Sequence, residues 1–263
     1  MTANPIGIAA CTWGLEPGYE WVPPYDAAAV LAAASRLGFA GFEPATESGA
    51  GARVAEQAAA VGIACPARFV GLSLTEPDRA RRRGRAALRD LLDLGGRVLL
   101  VGVETLGDTR PIAELAQACA RAGVTAAIHP ELGGPVATAQ SVDELLAVSP
   151  ALTVCVDTGH FWAAGDHDLP QLVRRWDGRV AHVHLKDVAA DVAAAVNGGR
   201  PVRDAVRAGL WQPLGAGSVP LAETLATLEE HRYEGWLIVE QDFAPRPEES
   251  AALSLEWLRG ARP

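Results

Sequence analysis

A chain of 263 residues, 49% hydrophobic and 21% charged, is long enough for one large core, and its net charge of −9 argues against a nucleic-acid backbone or an anionic membrane as main partner. No apolar run reaches the ~20 residues of a membrane span, and residues 1–10 lack the basic start and long apolar stretch of a secretory leader, so the expected setting is the cytoplasm. Cys11, Cys65, Cys119 and Cys155 stand singly in apolar surroundings, as buried reduced thiols do.

Along the chain, short β-rich runs alternate with Ala/Leu/Arg-rich stretches of helical period. Strands are predicted at 6–11, 41–43, 64–72, 97–103, 125–129, 152–156, 179–184 and 236–240. Helices are predicted at 26–37, 52–61, 76–94, 111–122, 141–148, 169–176, 220–231 and 248–259, several of them stopped by a glycine such as Gly38, Gly62, Gly95 or Gly123. Strict alternation of eight strands and eight helices predicts an α/β fold, a (β/α)8 TIM barrel spanning 1–263 as one domain. One connection departs from the pattern. Residues 188–217 are expected to form a long loop or lid, where connections of about 2–6 residues are usual.

A parallel barrel carries its chemistry on the C-terminal ends of its strands. Four predicted strands run into carboxylate or imidazole there: His129-Pro130-Glu131, Asp157-Thr158-Gly159-His160, His182-Val183-His184-Leu185-Lys186-Asp187 and Glu240-Gln241-Asp242. Period two along a strand aligns Thr153, Cys155 and Asp157 on one face, His182, His184 and Lys186 on another, and Trp236, Ile238 and Glu240 on a third. If those faces line the lumen, their last members meet at the barrel mouth.

The metal ligands expected from this pattern are Glu131, Asp157, His184 and Glu240, with Glu131 favoured over His129 as the fourth. Such an oxygen-rich set suits Mn2+, Mg2+ or Co2+. The bland alternatives are a helix N-cap for Asp157, a core histidine for His184 and an arginine pair for Glu240. Glu240 or Glu131 is expected to act as general base, with Lys186 or His160 handling a second proton. Lys186 is the single lysine beside 22 arginines, and only lysine offers a compact ammonium that can give up its proton. Glu43, His129 and Trp13 are expected to face substrate, with Trp13 and Phe69 forming an apolar wall, whereas His182 sits a layer deeper and is expected to be structural.

On these motifs, together with Gly41-Phe42-Glu43 and Gly215-Ala216-Gly217, the chain resembles the sugar phosphate isomerase/epimerase superfamily with a xylose isomerase-like TIM barrel. The Asp-Thr-Gly-His, His-x-His-Leu-Lys-Asp and Glu-Gln-Asp blocks are most similar to inosose dehydratase-like members. The resemblance implies a divalent ion at the ends of the last four barrel strands, with His160 near substrate. In ketose epimerases of the superfamily a glutamate stands directly at the end of strand five, where this chain has His129-Pro130-Glu131.

The function expected is proton abstraction α to the carbonyl of a sugar or cyclic polyol ketone, with the ion stabilising the enediolate. The expected class is a sugar or polyol isomerase or epimerase, with an inosose dehydratase-type lyase as the alternative, since all three reactions pass through that species. Two other classes fit a barrel of this kind: a metal-dependent hydrolase, related to apurinic endonucleases, and a sugar-binding barrel without turnover. Six histidines and an acidic balance count against the multi-zinc hydrolase. Self-association into a homo-oligomer is left open.

Overall fold

The computed structural model describes residues 4–14, 26–45 and 49–261. Eight parallel strands make the central sheet: β1 (Ile6–Ala9), β2 (Gly41–Glu43), β3 (Ala67–Ser73), β4 (Val98–Thr105), β5 (Thr125–Ile128), β6 (Leu152–Asp157), β7 (Val180–Leu185) and β10 (Leu237–Val239). Their order is β2-β1-β10-β7-β6-β5-β4-β3. A parallel bridge between Gly41 and Ala64 brings the two outer members together: Phe42 N–H donates to Ala64 O at 2.8 Å, and Ala64 N–H donates to Ala40 O at 3.0 Å. The sheet therefore curls into the expected barrel.

Around it lie α1 (Ala27–Leu37), α2 (Gly51–Ala60), α3 (Pro77–Asp93), α4 (Arg110–Arg121), α5 (Ala139–Leu146), α6 (Thr158–Ala163), α7 (Leu169–Arg175), α8 (Ala190–Asn197), α9 (Val202–Arg207), α10 (Leu221–Glu230) and α11 (Pro247–Ala261). Helical period explains which face each buries. On α3, Ala80, Gly84, Ala87 and Leu91 are buried while the intervening arginines stay outside. Asp26 caps α1 by accepting from Ala28 N–H, and Thr138 with Ser141 forms a capping box on α5.

Two kinds of core result from the alternation of strand side chains. Outward residues such as Leu72, Leu99, Val101, Val154 and Val183 pack against the helices. Inward residues form smaller clusters, Ala67, Val98, Leu100, Ala127 and Cys155 on one side and Ala9, Cys11 and Ile238 on the other. These small apolar side chains floor the lumen and leave its upper layer to polar groups. Among the described residues, no helix is long and apolar enough to cross a membrane.

Three expectations need correction. Residues 188–217 are not an extended loop: they hold α8, α9 and an antiparallel ribbon of β8 (Asp187–Val188) with β9 (Trp211–Gln212). The alanines of 190–196 support helix, and the ribbon ties the excursion back to the end of β7. The first strand also ends early, because the chain turns at Ala10–Trp13 into a 3-10 helix closed by Gly14 at φ 77°. That turn carries Trp13 away from the lumen into the helix-facing core, 2% exposed, where it does not wall the central cavity as expected.

Candidate active site

Register decides which side chains share a level. Asp157 on β6 pairs with His184 on β7, and His184 pairs with Ile238 on β10, so Glu240 stands just above the ladder. His129 directly follows β5, its N–H bonded to Val101 O at 3.0 Å. The side-chain donor atoms of His129, Asp157, His184 and Glu240 all lie within 4.8 Å of one another, and all four residues are buried.

Glu131 is not in this cluster, which corrects the expectation that it rather than His129 would be the fourth member. Pro130 ends the strand and Glu131 N–H bonds Val136 O at 2.8 Å in a turn, so the alternation stops one residue too soon for Glu131 to share the face of His129. Its carboxylate instead approaches the outer nitrogen of His129, Oε1 to Nδ1 at 3.1 Å, with the Glu131 side chain 38% exposed.

Asp157 fills two roles with its two oxygens. Oδ1 caps α6 by accepting from His160 N–H at 2.8 Å. Oδ2 is buried, accepts no hydrogen bond, and faces His184 Nδ1 and His129 Nε2, each at 3.5 Å. Glu240 Oε2 is likewise buried without a well-directed donor, although His184 Nδ1 lies 2.5 Å away. Two orphaned anionic oxygens facing two imidazole nitrogens are unfavourable in a dry barrel unless a cation sits among them. The donor set thus fits a divalent ion, which His129 Nε2, Asp157 Oδ2, His184 Nδ1 and Glu240 Oε2 would hold.

The electrostatics point the same way. Burial opposes charge on each group, yet mutual attraction wins. Burial alone would lower His129, but Asp157 and Glu131 raise it to about 9. His184 is likewise pushed down by burial and carried well above the usual histidine range by neighbours that include Glu240 and Glu43. Burial would raise Asp157 and Glu240, but Lys186 with His160 on the first, and Lys186 with His184 on the second, hold both well below the carboxylate range. A cluster that draws protons onto its imidazoles is one from which a bound cation would displace them.

Glu43 sits beneath the cluster rather than against substrate alone. It accepts from His184 Nε2 at 2.9 Å and from His182 Nε2 in a shorter contact. Burial would raise it, but the two histidines hold it at about 2. A carboxylate on Nε2 leaves Nδ1 of His184 as the ring atom turned into the cluster. His182 is fully buried, as its deeper position implied.

Lys186 and His160 both have their polar atoms engaged within the chain. Lys186 is fully buried and stands behind the cavity wall, with Nζ 3.0 Å from Glu240 Oε1 and 3.0 Å from Asp242 Oδ2. Gly159 makes this packing possible, since a Cβ there would lie 2.6 Å from Lys186 Cγ. His160 lines the cavity, but its Nδ1 accepts Leu132 N–H at 2.9 Å and its Nε2 faces Lys186 Nζ at 3.1 Å. Neither residue offers a free polar atom to substrate.

The cavity is walled by His129, His184 and Glu240 of the cluster, by Glu43, Glu131 and Asp242, and by apolar groups that include Phe69, Val202, Val206, Trp211 and Phe243. Phe69 meets His129 edge-on, with ring centroids 5.5 Å apart. Sequence reasoning missed Asp242 and Trp211 as lining groups. Asp242 was legible as an acid two residues past Glu240. Trp211 was not, because it reaches the site only through the β8–β9 ribbon.

A family model described as xylose isomerase-like TIM barrel matches residues 31–261. The chain belongs to that family. Among curated relatives it is similar to the rhizopine catabolism protein MocC of Rhizobium meliloti, 36% identical over 138 residues, 52% of this chain and 42% of the relative. It is also similar to an inosose dehydratase of Clostridium botulinum, 30% identical over 135 residues, 50% of this chain and 45% of the relative. The matched region thus spans less than half the length of both. Among solved structures, an L-ribulose 3-epimerase superposes with TM-score 0.73 at 16% identity, covering 98% of this chain and 94% of the other. A D-allulose 3-epimerase from Methylomonas gives TM-score 0.74 at 17% identity, covering 100% and 99%. At such identities the structural likeness shows the barrel fold.

Proposed function

We propose that this chain is a divalent-metal-dependent enzyme that removes the proton α to the carbonyl of a sugar or cyclic polyol ketone and then expels a β-hydroxyl as water. The observation that carries it is the convergence of His129, Asp157, His184 and Glu240 with two buried oxygens lacking donors. Two imidazoles beside two carboxylates favour Mn2+, Co2+ or Zn2+ over Mg2+, which prefers oxygen alone. The ion, when bound, supplies positive charge for the oxygen that gains electron density as the α-proton leaves.

The residues divide the proton work. Glu240 is held ionised by Lys186 and His184 against the pull of burial and is ready to accept the α-proton. Asp242 lines the same cavity, and burial raises it to about 6, with Lys186 opposing and Glu240 adding to the rise. It can donate to the departing hydroxyl. Lys186 Nζ touches both carboxylates at 3.0 Å, so the proton taken by Glu240 returns to Asp242 through it and the site is reset.

Dehydration is favoured over epimerisation because an epimerase needs a base on each face of the reacting carbon. Here Glu131 turns aside to His129, leaving a base paired with an acid. The named relatives that include an inosose dehydratase support the same choice. Isomerisation or epimerisation remains the second reading, favoured by the superfamily's shared enediolate chemistry.

The test is NMR of the Mn2+-loaded chain with inososes and ketoses in D2O. Solvent deuterium at the α-carbon and an unsaturated product are expected. Glu240→Gln should slow exchange by about 10²–10⁴-fold, the usual worth of a positioned base. Epimer or aldose without dehydrated product would select the second reading, and no exchange with any substrate would refute both.

A further inference from the structure

Beside the cluster lies a second set of converging donors, and it is filled from within the chain. Lys186 Nζ is 3.0 Å from Glu240 Oε1, 3.0 Å from Asp242 Oδ2, 3.1 Å from His160 Nε2 and 3.8 Å from Asp157 Oδ2. Carboxylates with an imidazole are donor types that divalent transition ions take. Glu240 serves both sets, turning Oε2 toward His184 and Oε1 toward Lys186. Asp157 Oδ2 also faces both. Shared carboxylates are how two-metal centres keep their ions about 3.5–4 Å apart. Cys11 Sγ, 3.3 Å from Glu240 Oε1, adds a further donor, and the ligand atoms of Cys11, Glu240 and Asp242 lie within 4.8 Å of one another.

We propose that Lys186 is a built-in substitute for a second divalent cation, so that this site accepts one metal ion and no more. The inference rests on the metal-dependent reading above. Three observations support it. The ammonium is fully buried and sits where a second ion would share Glu240 and Asp157 with the first. Trp211 covers it, its ring centroid 4.7 Å from Nζ, which closes that cage from the cavity side. Composition agrees as well: a chain with 22 arginines places its one lysine here. A compact point charge fits between converging oxygens at 3.0 Å, whereas a planar guanidinium does not. A tethered cation also cannot be lost by dilution or chelation, so Glu240 and Asp242 stay compensated whatever the metal supply.

The test is metal stoichiometry, read without reference to turnover. The wild-type chain and Lys186→Met, a chain-length match without charge, are stripped with chelator, equilibrated with excess Mn2+ or Co2+, desalted and assayed for bound metal. One ion per chain is expected for wild type and two for Lys186→Met, with the Mn2+ pair giving a spin-coupled paramagnetic resonance spectrum. Adding Asp242→Asn to Lys186→Met should remove the second ion. Two ions in wild type, or one in folded Lys186→Met, overturns the inference while leaving the metal-dependent reading intact. No ion in wild type overturns both. If circular dichroism shows Lys186→Met unfolded, Lys186→Ala is loaded with Co2+ with and without methylammonium. Expulsion of the second ion by methylammonium supports the inference, and unchanged stoichiometry refutes it.

Discussion

Glu43 carries two imidazoles on one carboxylate, and that arrangement has a measurable consequence. By accepting from His184 Nε2 it fixes the ring so that Nδ1 faces the other three donors. Outer-sphere partners of this kind are worth about 10–100-fold in metal affinity. Glu43→Gln, which keeps an acceptor oxygen, should lose less affinity for Co2+ by calorimetric titration than Glu43→Leu, which should lose that full range. Equal affinity in all three proteins would deny Glu43 its positioning role. A second test concerns Asp157, whose two oxygens do separate jobs. Asn is as good an N-cap as Asp, so Asp157→Asn should leave metal-free stability within about 1 kcal/mol while metal affinity collapses. A large loss of metal-free stability instead would mean that charge pairing with His184, His129 and Lys186, not the ion, is why an acid stands there.

Among the elements, the excursion through α8, α9 and the β8–β9 ribbon supplies one wall of the cavity. Asp187 anchors it, its carboxylate accepting from Gly215, Gly217 and Val219 N–H at 2.9, 2.9 and 3.0 Å. This cradle holds Trp211 over Lys186 and places Val202 and Val206 on the cavity wall. Trp211→Ala should therefore raise KM more than it lowers kcat, by about tenfold, equivalent to about 1.4 kcal/mol of binding. A pure kcat loss would assign Trp211 to the chemistry instead. On α5, Thr138→Ala removes the capping box and should cost about 1 kcal/mol in urea unfolding with metal affinity unchanged.

For the molecule as a whole, an ion that binds the folded chain and not the unfolded one stabilises it by mass action. At a free concentration 100 times Kd the gain is about 2.7 kcal/mol. For a domain of this size that corresponds to a Tm rise on the order of 5–10 °C, reversed by chelator. A Tm insensitive to Mn2+, Co2+ and Zn2+ would argue against a resident cation. The barrel wall has its own buried charge pair, Arg68 Nη2 to Asp90 Oδ2 at 3.1 Å, linking β3 to α3. Asp90→Ala would remove this buried carboxylate from the guanidinium and should cost about 3–5 kcal/mol.

Alternating β-rich and helical periods carried the barrel on their own, because one sheet with helices outside is the way such a chain buries both patterns. Asp157, His184 and Glu240 were legible for a related reason: each belongs to or follows a strand whose two-residue alternation runs unbroken to the mouth. Local signals ran out where the backbone leaves the strand. Pro130 broke the alternation and exchanged the places of His129 and Glu131, and the turn at Ala10–Trp13 took Trp13 out of the lumen. The burial of Lys186 behind the wall and the arrival of Trp211 above it depend on contacts between segments far apart in the chain, through the ribbon and the close approach at Gly159. Periodicity is a property of neighbours along the backbone and can be read there, whereas the partners of a side chain are set by what packs across the barrel.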